Sequence, residues 1–292
     1  MESPEKIEIL SVDLLNQHRQ QVITLKRLAK SLDLELGWHY LLDLTWIISQ
    51  LGPVKGKRIM DAGAGMGLMQ WFLAQQGAEV ISVDRSSRAR LPLRFRACFR
   101  VSGLRSGAQA DLTPWRQAFK SIRIARQARD MLGAVPYNAT HLRRGPGRVV
   151  LYNQDLRNLA DLQDNSLDAV VAVSALEHNS PEGLEKVVAE LMRVLKPGGR
   201  LVASLCAARD QDTWHEPSSG WCYTDASLRS LFCLPPDLPS NYNRYDELFE
   251  SLRSSAELRQ GLASFYFRSD KNGMPWGKWD PQYQPVGVCK IK

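Results

Sequence analysis

The sequence has few of the features that mark metal-binding, disulfide-stabilised or membrane-spanning proteins. Its five cysteines are odd in number and scattered, and no C-x-x-C pair occurs among them. Neither a zinc site nor a disulfide framework is therefore indicated. The longest apolar stretch, residues 38–51, is interrupted by His39, Asp43 and Ser49, and it falls short of the roughly 20 residues that a membrane-spanning helix needs.

The same absences bear on where the protein is located. The N-terminal stretch MESPEKIEIL contains early acidic residues and no long apolar core, so we expect no signal peptide in it. Cysteines without a disulfide pattern are typical of a reducing compartment. We therefore predict a cytoplasmic protein, which could contact a membrane surface peripherally.

Acidic residues are scarce in one segment of the chain. Residues 85–148 contain 14 Arg and 1 Lys against Asp111 and Asp130, a net charge of +13, so the rest of the chain carries −6 of the total of +7. Clustered arginines favour bidentate recognition of phosphate or carboxylate groups. A phosphorylated or nucleotide-linked small molecule, an anionic membrane surface and RNA all fit this segment. The alternative is a solvated surface whose arginines pair with acidic residues elsewhere in the chain.

Within this segment, arginines alternate with apolar side chains over residues 91–101, LPLRFRACFRV. This mixture favours an interfacial or lipid-linked partner over a purely nucleic-acid one, although RNA-binding proteins also combine arginine with aromatic residues. The pattern then predicts a helix over residues 115–132 and a turn at residues 145–147. We interpret residues 86–148 as an insertion within one domain.

A glycine-rich turn between two short strands is the most informative feature of the sequence. The stretch RIMDAGAGMG ends a strand at Asp61 and then places Gly63, Gly65 and Gly67 at every second position. Glycines let the backbone turn tightly and let a ligand approach it closely, because no Cβ stands in the way. A helix over residues 68–76 follows, and the backbone amides at a helix start favour an anionic ligand.

The strand after this helix, Glu79–Val83, leads to a second acidic residue. Asp84 lies 17 positions after Gly67, near the spacing at which a carboxylate binds the ribose hydroxyls of a nucleotide. The nicotinamide fingerprint G-x-G-x-x-G does not fit, because position 68 is Leu and the third glycine comes one residue early. The D-x-G-x-G-x-G form instead resembles the first motif of class I S-adenosylmethionine-dependent methyltransferases.

Three further motifs follow in the order that this family has. Asn153-Gln154-Asp155-Leu156 ends an apolar strand, residues 166–178 form a continuously apolar strand that ends in Leu-Glu-His, and Leu195-Lys196-Pro197-Gly198-Gly199 precedes another strand. Residues 57–210 therefore resemble class I methyltransferases, and in particular the small-molecule, methyltransferase type 11-like branch.

The resemblance implies an α/β fold with a doubly wound, seven-stranded Rossmann-like sheet of strand order 3-2-1-4-5-7-6, in which the seventh strand is antiparallel. Residues 262–267 and 286–291 would form the last two strands. We expect residues 1–52 to form an N-terminal helical cap and residues 53–292 to form the methyltransferase domain. Residues 211–262, which are rich in aromatics and turn formers, would build the acceptor side.

The resemblance also implies S-adenosylmethionine as the cofactor, together with a set of residues that bind it. Asp84 would bind the ribose, Asp155 would face the adenine amino group, and Ser174 would border the methionine part. The full predicted set is Asp61, Gly63, Gly65, Gly67, Asp84, Arg85, Asp155, Leu156 and Ser174.

Methyl transfer is an in-line displacement whose rate depends on the alignment of acceptor, methyl and sulfur. A base is needed only if the acceptor must lose a proton, and His178 and His215 are the candidates because histidine titrates near neutral pH. His178 could instead cap the next helix, and His215 could be a structural residue of an aromatic loop. On the N-terminal helix, His39 or Tyr40 would line the cofactor or acceptor pocket, or would only pack against the sheet. No metal ion is implied.

Three functions remain open at this point. The first is transfer of a methyl group, at oxygen, to a small-molecule or glycan-type acceptor that is anionic and phosphorylated or lipid-linked. The second is an RNA methyltransferase whose insertion binds the phosphate backbone, although the acceptor loop lacks the Asn/Asp-Pro-Pro-Tyr/Phe signature that resembles base-aminomethylating enzymes. The third is a donor-binding scaffold without turnover, against which the intact glycine turn and Asp84 argue.

Overall fold

Short runs of apolar residues form the strands of one mixed sheet. The computed structural model describes residues 5–115, 146–268 and 274–292, together with residues 117, 129, 132, 134, 135 and 137. Ten strands join in the sheet. They are β1 (Lys6–Ile9), β2 (Arg58–Ala62), β3 (Glu79–Asp84), β4 (Val101–Gly103), β5 (Arg148–Asn153), β6 (Leu167–Val173), β7 (Leu195–Ala207), β8 (Thr213–His215), β9 (Gly220–Tyr223) and β10 (Gln284–Ile291).

Helices pack on both faces of this sheet. The described helices are α1 (Leu14–Gln17), α2 (Arg19–Ser31), α3 (Tyr40–Leu51), α4 (Met69–Gln75), α5 (Leu93–Cys98), α6 (Pro181–Val194), α7 (Asp225–Leu231), α8 (Tyr245–Arg253) and α9 (Ala256–Gln260). Successive strand residues point to opposite faces, so Ile59 joins the apolar cluster that includes α1 to α4, while Met60 joins the one that includes α6 and α7. Both faces of the central strands are therefore buried, as is typical of parallel sheets.

The strand order places the central switch point of the sheet at β2. The order is β1-β10-β7-β6-β2-β3-β5-β4, with β9 pairing beside β7 and β8 pairing with β9. Strand β2 runs parallel to both β3 and β6. The carboxyl ends of these three strands therefore meet at one edge, where open α/β sheets bind their ligands.

The seven-stranded order predicted above is found in part, because β5-β3-β2-β6-β7-β10 corresponds to 3-2-1-4-5-7, but β1 takes the place of the sixth strand and further strands join the sheet. Residues 262–267 were expected to form a strand, but Ser264–Phe267 is a short 3₁₀ helix, and the neighbour of β10 is β1. The prediction of a helical cap over residues 1–52 missed this strand, in which buried Ile7 and Ile9 alternate with half-buried Lys6 and Glu8 at the period of a strand. The expected strand over residues 286–291 is confirmed within β10, which is antiparallel to β7.

The apolar residues of the 91–101 stretch are part of the core, not an exposed face. Leu91, Leu93, Phe95 and Phe99 are each at most 3% exposed. The Phe95 ring stacks on Trp71 of α4, with ring centroids 4.7 Å apart. These apolar side chains are already covered by the protein, which removes the support that they gave to an interfacial or lipid-linked partner. The helix predicted over residues 115–132 and the start of the turn at 145–147 lie largely outside the described residues.

Several arginines of the basic segment are paired within the chain. Arg94 Nη1 donates to Asp33 at 2.9 Å, Arg105 Nη2 donates to Asp111 at 2.8 Å, and Arg148 Nε donates to Glu79 at 3.0 Å. Arg96 donates to the carbonyl of Thr113 at 2.9 Å and lies over the Trp115 ring. The alternative in which arginines pair with acidic residues elsewhere in the chain therefore holds for Arg94 and Arg148, whereas the partners of Arg96 and Arg105 lie within the segment itself.

The contact between α3 and the β10 edge ties the N-terminal segment to the sheet. Trp46 of α3 is fully buried, and a Cβ added at Gly287 of β10 would lie 2.5 Å from its ring. Its Nε1 donates to Glu8 Oε2 of β1 at 3.0 Å. One side chain thus joins α3, β1 and β10. No described helix has the length and apolar character needed to cross a membrane.

Replacing Trp46 with alanine is expected to lower the free energy of unfolding by about 3–5 kcal/mol, because a large buried ring leaves a cavity. The measurement is chemical denaturation followed by far-UV circular dichroism. Trp276→Ala is the matched control, since Trp276 is 65% exposed, and it should change stability little. Equal losses in the two variants would contradict the packing described for α3.

Candidate functional site

A cavity of about 520 Å³ opens where β2, β3 and β6 end. It is lined by all nine residues predicted to bind the cofactor and by one of the two candidate bases, His178. His215 is not among its described lining residues. Tyr40 and Leu44 of α3 also line it, so of the two α3 candidates Tyr40 reaches the cavity and His39 does not. The lining residues include Tyr40, Leu44, Asp61, Gly63, Gly65, Gly67, Asp84, Arg85, Asp155, Leu156, Ser174 and His178.

The turn after β2 can be built only with glycine at its first position. Gly63 has a φ of +72°, and a Cβ there would lie 2.4 Å from the Cβ of Ala175. Gly65 also has a positive φ, of +46°, which L side chains adopt at a cost. The sequence pattern therefore reflects a close approach between the turn and the segment that follows β6.

Asp84 accepts two backbone hydrogen bonds, one of them from the glycine turn. Its Oδ2 accepts from the amide of Gly65 at 2.8 Å, and its Oδ1 accepts from the amide of Ser86 at 2.7 Å. A carboxylate oxygen has more than one acceptor position, so both oxygens can still accept from a hydroxyl in the cavity. The geometry therefore suits recognition of a vicinal diol.

Asp61 is a buried carboxyl group with an unused oxygen. The residue is 2% exposed, and its Oδ2 has no hydrogen-bond partner among the described residues. Burial raises its pKa from 3.8 to about 7, although nearby Arg88 acts in the opposite direction. A cationic group placed in the cavity would favour the ionised form and so suit this position.

Asp155 is held as a charged group at the other end of the cavity. Its Oδ2 accepts from Arg157 Nη2 at 2.6 Å. This hydrogen bond is the main reason why the pKa of Asp155 is lowered to about 2, and the charge of Arg85 acts in the same direction. Asp155 is therefore ionised at any physiological pH, and it can accept a hydrogen bond from an exocyclic amine.

Ser174 makes a polar contact that no sequence motif indicates. It has a positive φ of +45°, and its hydroxyl donates to Glu177 Oε1 at 2.5 Å. Glu177 is 1% exposed, and burial raises its pKa. A buried glutamate beside the cavity was not evident from the sequence, because Leu-Glu-His was interpreted through its histidine.

The two candidate bases are in different surroundings. His178 lines the cavity, and its Nδ1 lies 2.8 Å from the carbonyl oxygen of Ser219. A carbonyl can only accept, so the neutral ring carries its proton on Nδ1 and leaves Nε2 as the basic nitrogen. His215 instead contacts Ser218 Oγ at 2.7 Å and packs edge-to-face against the Tyr283 ring, and burial lowers its pKa.

His39 belongs to a separate buried group behind α3. Its Nδ1 lies 2.6 Å from Asp43 Oδ2, and its Nε2 lies 3.2 Å from the hydroxyl of Tyr283. The spacing of four residues between His39 and Asp43 on a helix was the signal for this pair. Among the described residues, no group of three or more histidine, cysteine or acidic side chains could hold a metal ion.

A methyltransferase domain model matches residues 60–203 of the chain. The demethylmenaquinone methyltransferase of Renibacterium salmoninarum is 24% identical over 212 residues, which cover 71% of this chain and 64% of that protein. The ubiquinone biosynthesis O-methyltransferase of Xylella fastidiosa is 29% identical over 158 residues, which cover 54% of this chain and 45% of that protein. The chain thus spans less than two thirds of the length of either relative.

One solved structure with a similar shape is a 1,6-didemethyltoxoflavin-N1-methyltransferase from Burkholderia thailandensis with bound S-adenosylhomocysteine. It is 15% identical, with a TM-score of 0.44 over 96% of this chain and 86% of that one.

Asp61 should make stability fall as pH rises through neutrality. Its pKa is about 7 in the folded protein and ordinarily 3.8, so the folded state binds the proton more tightly than the unfolded state. The free energy of unfolding therefore falls by up to roughly 4 kcal/mol as the pH rises from 3.8 to about 7. Asp61→Asn should remove this dependence in denaturation curves recorded from pH 4 to pH 8. Asp168→Asn is the control, because the pKa of Asp168 is lowered and its pH dependence falls in the acid range. A wild-type slope retained in Asp61→Asn would contradict the assignment.

Proposed function

Because the chain belongs to the class I S-adenosylmethionine-dependent methyltransferase family, we propose that it binds S-adenosylmethionine in the described cavity and transfers the methyl group to a small organic acceptor at oxygen. This proposal rests on one observation: all nine residues predicted to bind S-adenosylmethionine line the same cavity. The cavity of about 520 Å³ is within the usual range for a small-molecule site.

The residues present fit this donor. The glycine turn offers close backbone approach, since a Cβ at Gly63 would meet Ala175, and Asp84 offers both carboxylate oxygens to the ribose diol. The unpartnered oxygen of Asp61 suits the cationic methionine part, and Asp155 suits the adenine amine. Residues 1–52 would act as a cap through Tyr40 and Leu44, which line the cavity.

S-adenosylmethionine supplies an electrophilic methyl group on a sulfonium, so the protein's task is to align an acceptor with it. A hydroxyl acceptor loses a proton during transfer, and His178 is placed to take it on Nε2. The exposed position of His178 beside Ser174 at the cavity favours it over His215, which lies in a separate aromatic contact. The base would act on the acceptor and not on the donor.

The names of the relatives bear on the acceptor class. One is a demethylmenaquinone methyltransferase and the other a ubiquinone biosynthesis O-methyltransferase, and the second name favours a small acceptor that is methylated at oxygen. An anionic, glycan-type or lipid-linked acceptor remains a prediction from the basic segment. It has lost part of its support, because Arg94, Arg105 and Arg148 pair with acidic residues of the chain. The same pairing weakens the RNA alternative, because fewer arginines are left to bind a phosphate backbone. The cytoplasmic location stays a prediction.

Asp84→Ala is expected to weaken S-adenosylhomocysteine binding about tenfold or more, because hydrogen bonds to a charged group are among the stronger ones. Isothermal titration calorimetry measures this directly. Asp237→Ala is the control, since Asp237 is exposed and lies outside the cavity lining. Absence of binding by the wild-type protein would overturn the donor assignment.

His178→Asn should reduce methyl transfer about 100-fold or more if His178 takes the acceptor proton, while His215→Asn should retain most of the rate. Transfer of radiolabelled methyl groups from S-adenosylmethionine to a panel of phenols, catechols and hydroquinones provides the assay. Both variants should bind S-adenosylhomocysteine like the wild type. A larger loss in His215→Asn would reassign the base, and binding without turnover on any hydroxyl or amine acceptor would favour the scaffold alternative.

A further inference from the structure

A buried polar network lies directly beneath the glycine turn, on the side away from the cavity. Its members are Gln70 of α4, Ser82 of β3 and Arg88 in the segment after β3, and they are 1%, 0% and 6% exposed. All three lie outside the set of described residues that line the cavity. None was singled out by the sequence motifs, because a motif marks the residues of the turn and not those that support it.

Hydrogen bonds run through this network in one direction. Arg88 Nη1 donates to the hydroxyl of Ser82, and that hydroxyl donates its single proton to Gln70 Oε1 at 2.7 Å. A hydroxyl that accepts from a guanidinium must give its proton elsewhere, so Arg88 determines which end of the Gln70 amide faces Ser82. The other end, Nε2, then faces the glycine turn.

The Gln70 amide lies among the carbonyl groups of the turn. Its Nε2 is 3.1 Å from the carbonyl oxygen of Gly67, 3.3 Å from that of Gly65 and 3.4 Å from that of Ala64. Arg88 Nη1 donates to the Gly65 carbonyl as well, at 3.3 Å. These carbonyl groups therefore point into the protein, away from the cavity.

The direction of the carbonyls determines the direction of the neighbouring amides. In a trans peptide the N–H group points opposite to the preceding C=O, and no cis peptide occurs in the described chain. The inward carbonyls of Gly65 and Gly67 thus turn the N–H groups of Met66 and Leu68 outward, and both residues line the cavity. The Gly65 N–H also points outward and donates to Asp84 Oδ2 at 2.8 Å.

We propose that Gln70, Ser82 and Arg88 are positioning residues that set the affinity for the donor by holding the Met66 and Leu68 amides toward its carboxylate. This inference rests on the proposed function, and it adds residues that never contact the donor. Arg88 also donates to the carbonyl of Ser82 at 2.6 Å, so it fixes β3 and the turn together. A preorganised turn binds more tightly because less conformational freedom is lost on binding.

The competing explanation is that the network only stabilises the fold, and matched variants separate the two. Arg88→Met and Arg96→Met each remove a buried guanidinium, since Arg88 is 6% exposed and Arg96 is 5% exposed. Arg96 serves as the control because it donates to the Thr113 carbonyl and not to the turn. Gln70→Met and Gln284→Met each remove a buried amide, and Gln284 donates to Tyr245. All four substitutions are of similar size to the residue they replace.

Two measurements are made on each full-length variant. Hydrogen–deuterium exchange of the peptide that spans residues 63–69 reports on the turn without any ligand, and calorimetry with S-adenosylhomocysteine reports on affinity. We expect Arg88→Met and Gln70→Met to speed exchange in this peptide and to weaken binding about tenfold or more. Arg96→Met and Gln284→Met should leave both close to wild type, even where thermal unfolding shows lower stability.

The outcomes separate this inference from the proposed function. Unchanged exchange of residues 63–69 in Arg88→Met and Gln70→Met, or an equal loss of affinity in the control variants, would overturn the positioning role. A wild-type protein that fails to bind S-adenosylhomocysteine would overturn the donor assignment, and the exchange result would still decide whether the network orders the turn. If Arg88→Met does not fold, Ser82→Ala removes the same relay with the loss of one oxygen and is measured in its place.

Discussion

The close approach between the turn after β2 and the segment after β6 is the constraint on which the site depends. Gly63 lies so near Ala175 that a single Cβ would bring two carbons to 2.4 Å. This contact joins the ends of β2 and β6, and parallel pairing of β2 with β3 brings the end of β3 to the same edge. Asp61, Asp84 and Ser174 face one cavity because each ends or follows one of these strands.

Burial of polar groups gives this edge of the sheet its chemical character. Asp61 and Glu177 are nearly inaccessible, and burial raises the pKa of each. Arg88 is buried in the same region and its charge is balanced by nearby Asp61 and Asp84. Opposite charges in a low-dielectric setting stabilise one another more than they would in water. The glycine turn is thus supported from beneath by charged and polar groups and faces the cavity with its backbone.

The basic segment is a case in which composition suggests one role for arginines and the structure shows another. Clustered arginines are compatible with anionic partners, but a guanidinium also satisfies carbonyl and carboxylate groups inside a protein. Arg94 and Arg148 pair with acidic residues distant in sequence, and Arg105 pairs with nearby Asp111. The composition of residues 85–148 could not reveal these pairs, because they depend on which acidic residues the fold brings near. The burial of Leu91, Phe95 and Phe99 between these arginines likewise depends on which elements the fold packs against them.

The strand, turn and helix units around Gly63, Gly65 and Gly67, with acidic residues at the strand ends, could be predicted from the sequence because they follow from local backbone requirements. The predicted donor residues consequently meet at one cavity. Tertiary structure alone decided that β1 pairs with β10, where residues 262–267 had been expected, since the partner of an edge strand is set by long-range packing. It also decided the surroundings of His178 and His215 and the support of the turn by Arg88, because hydrogen-bond partners far apart in the chain leave no local pattern.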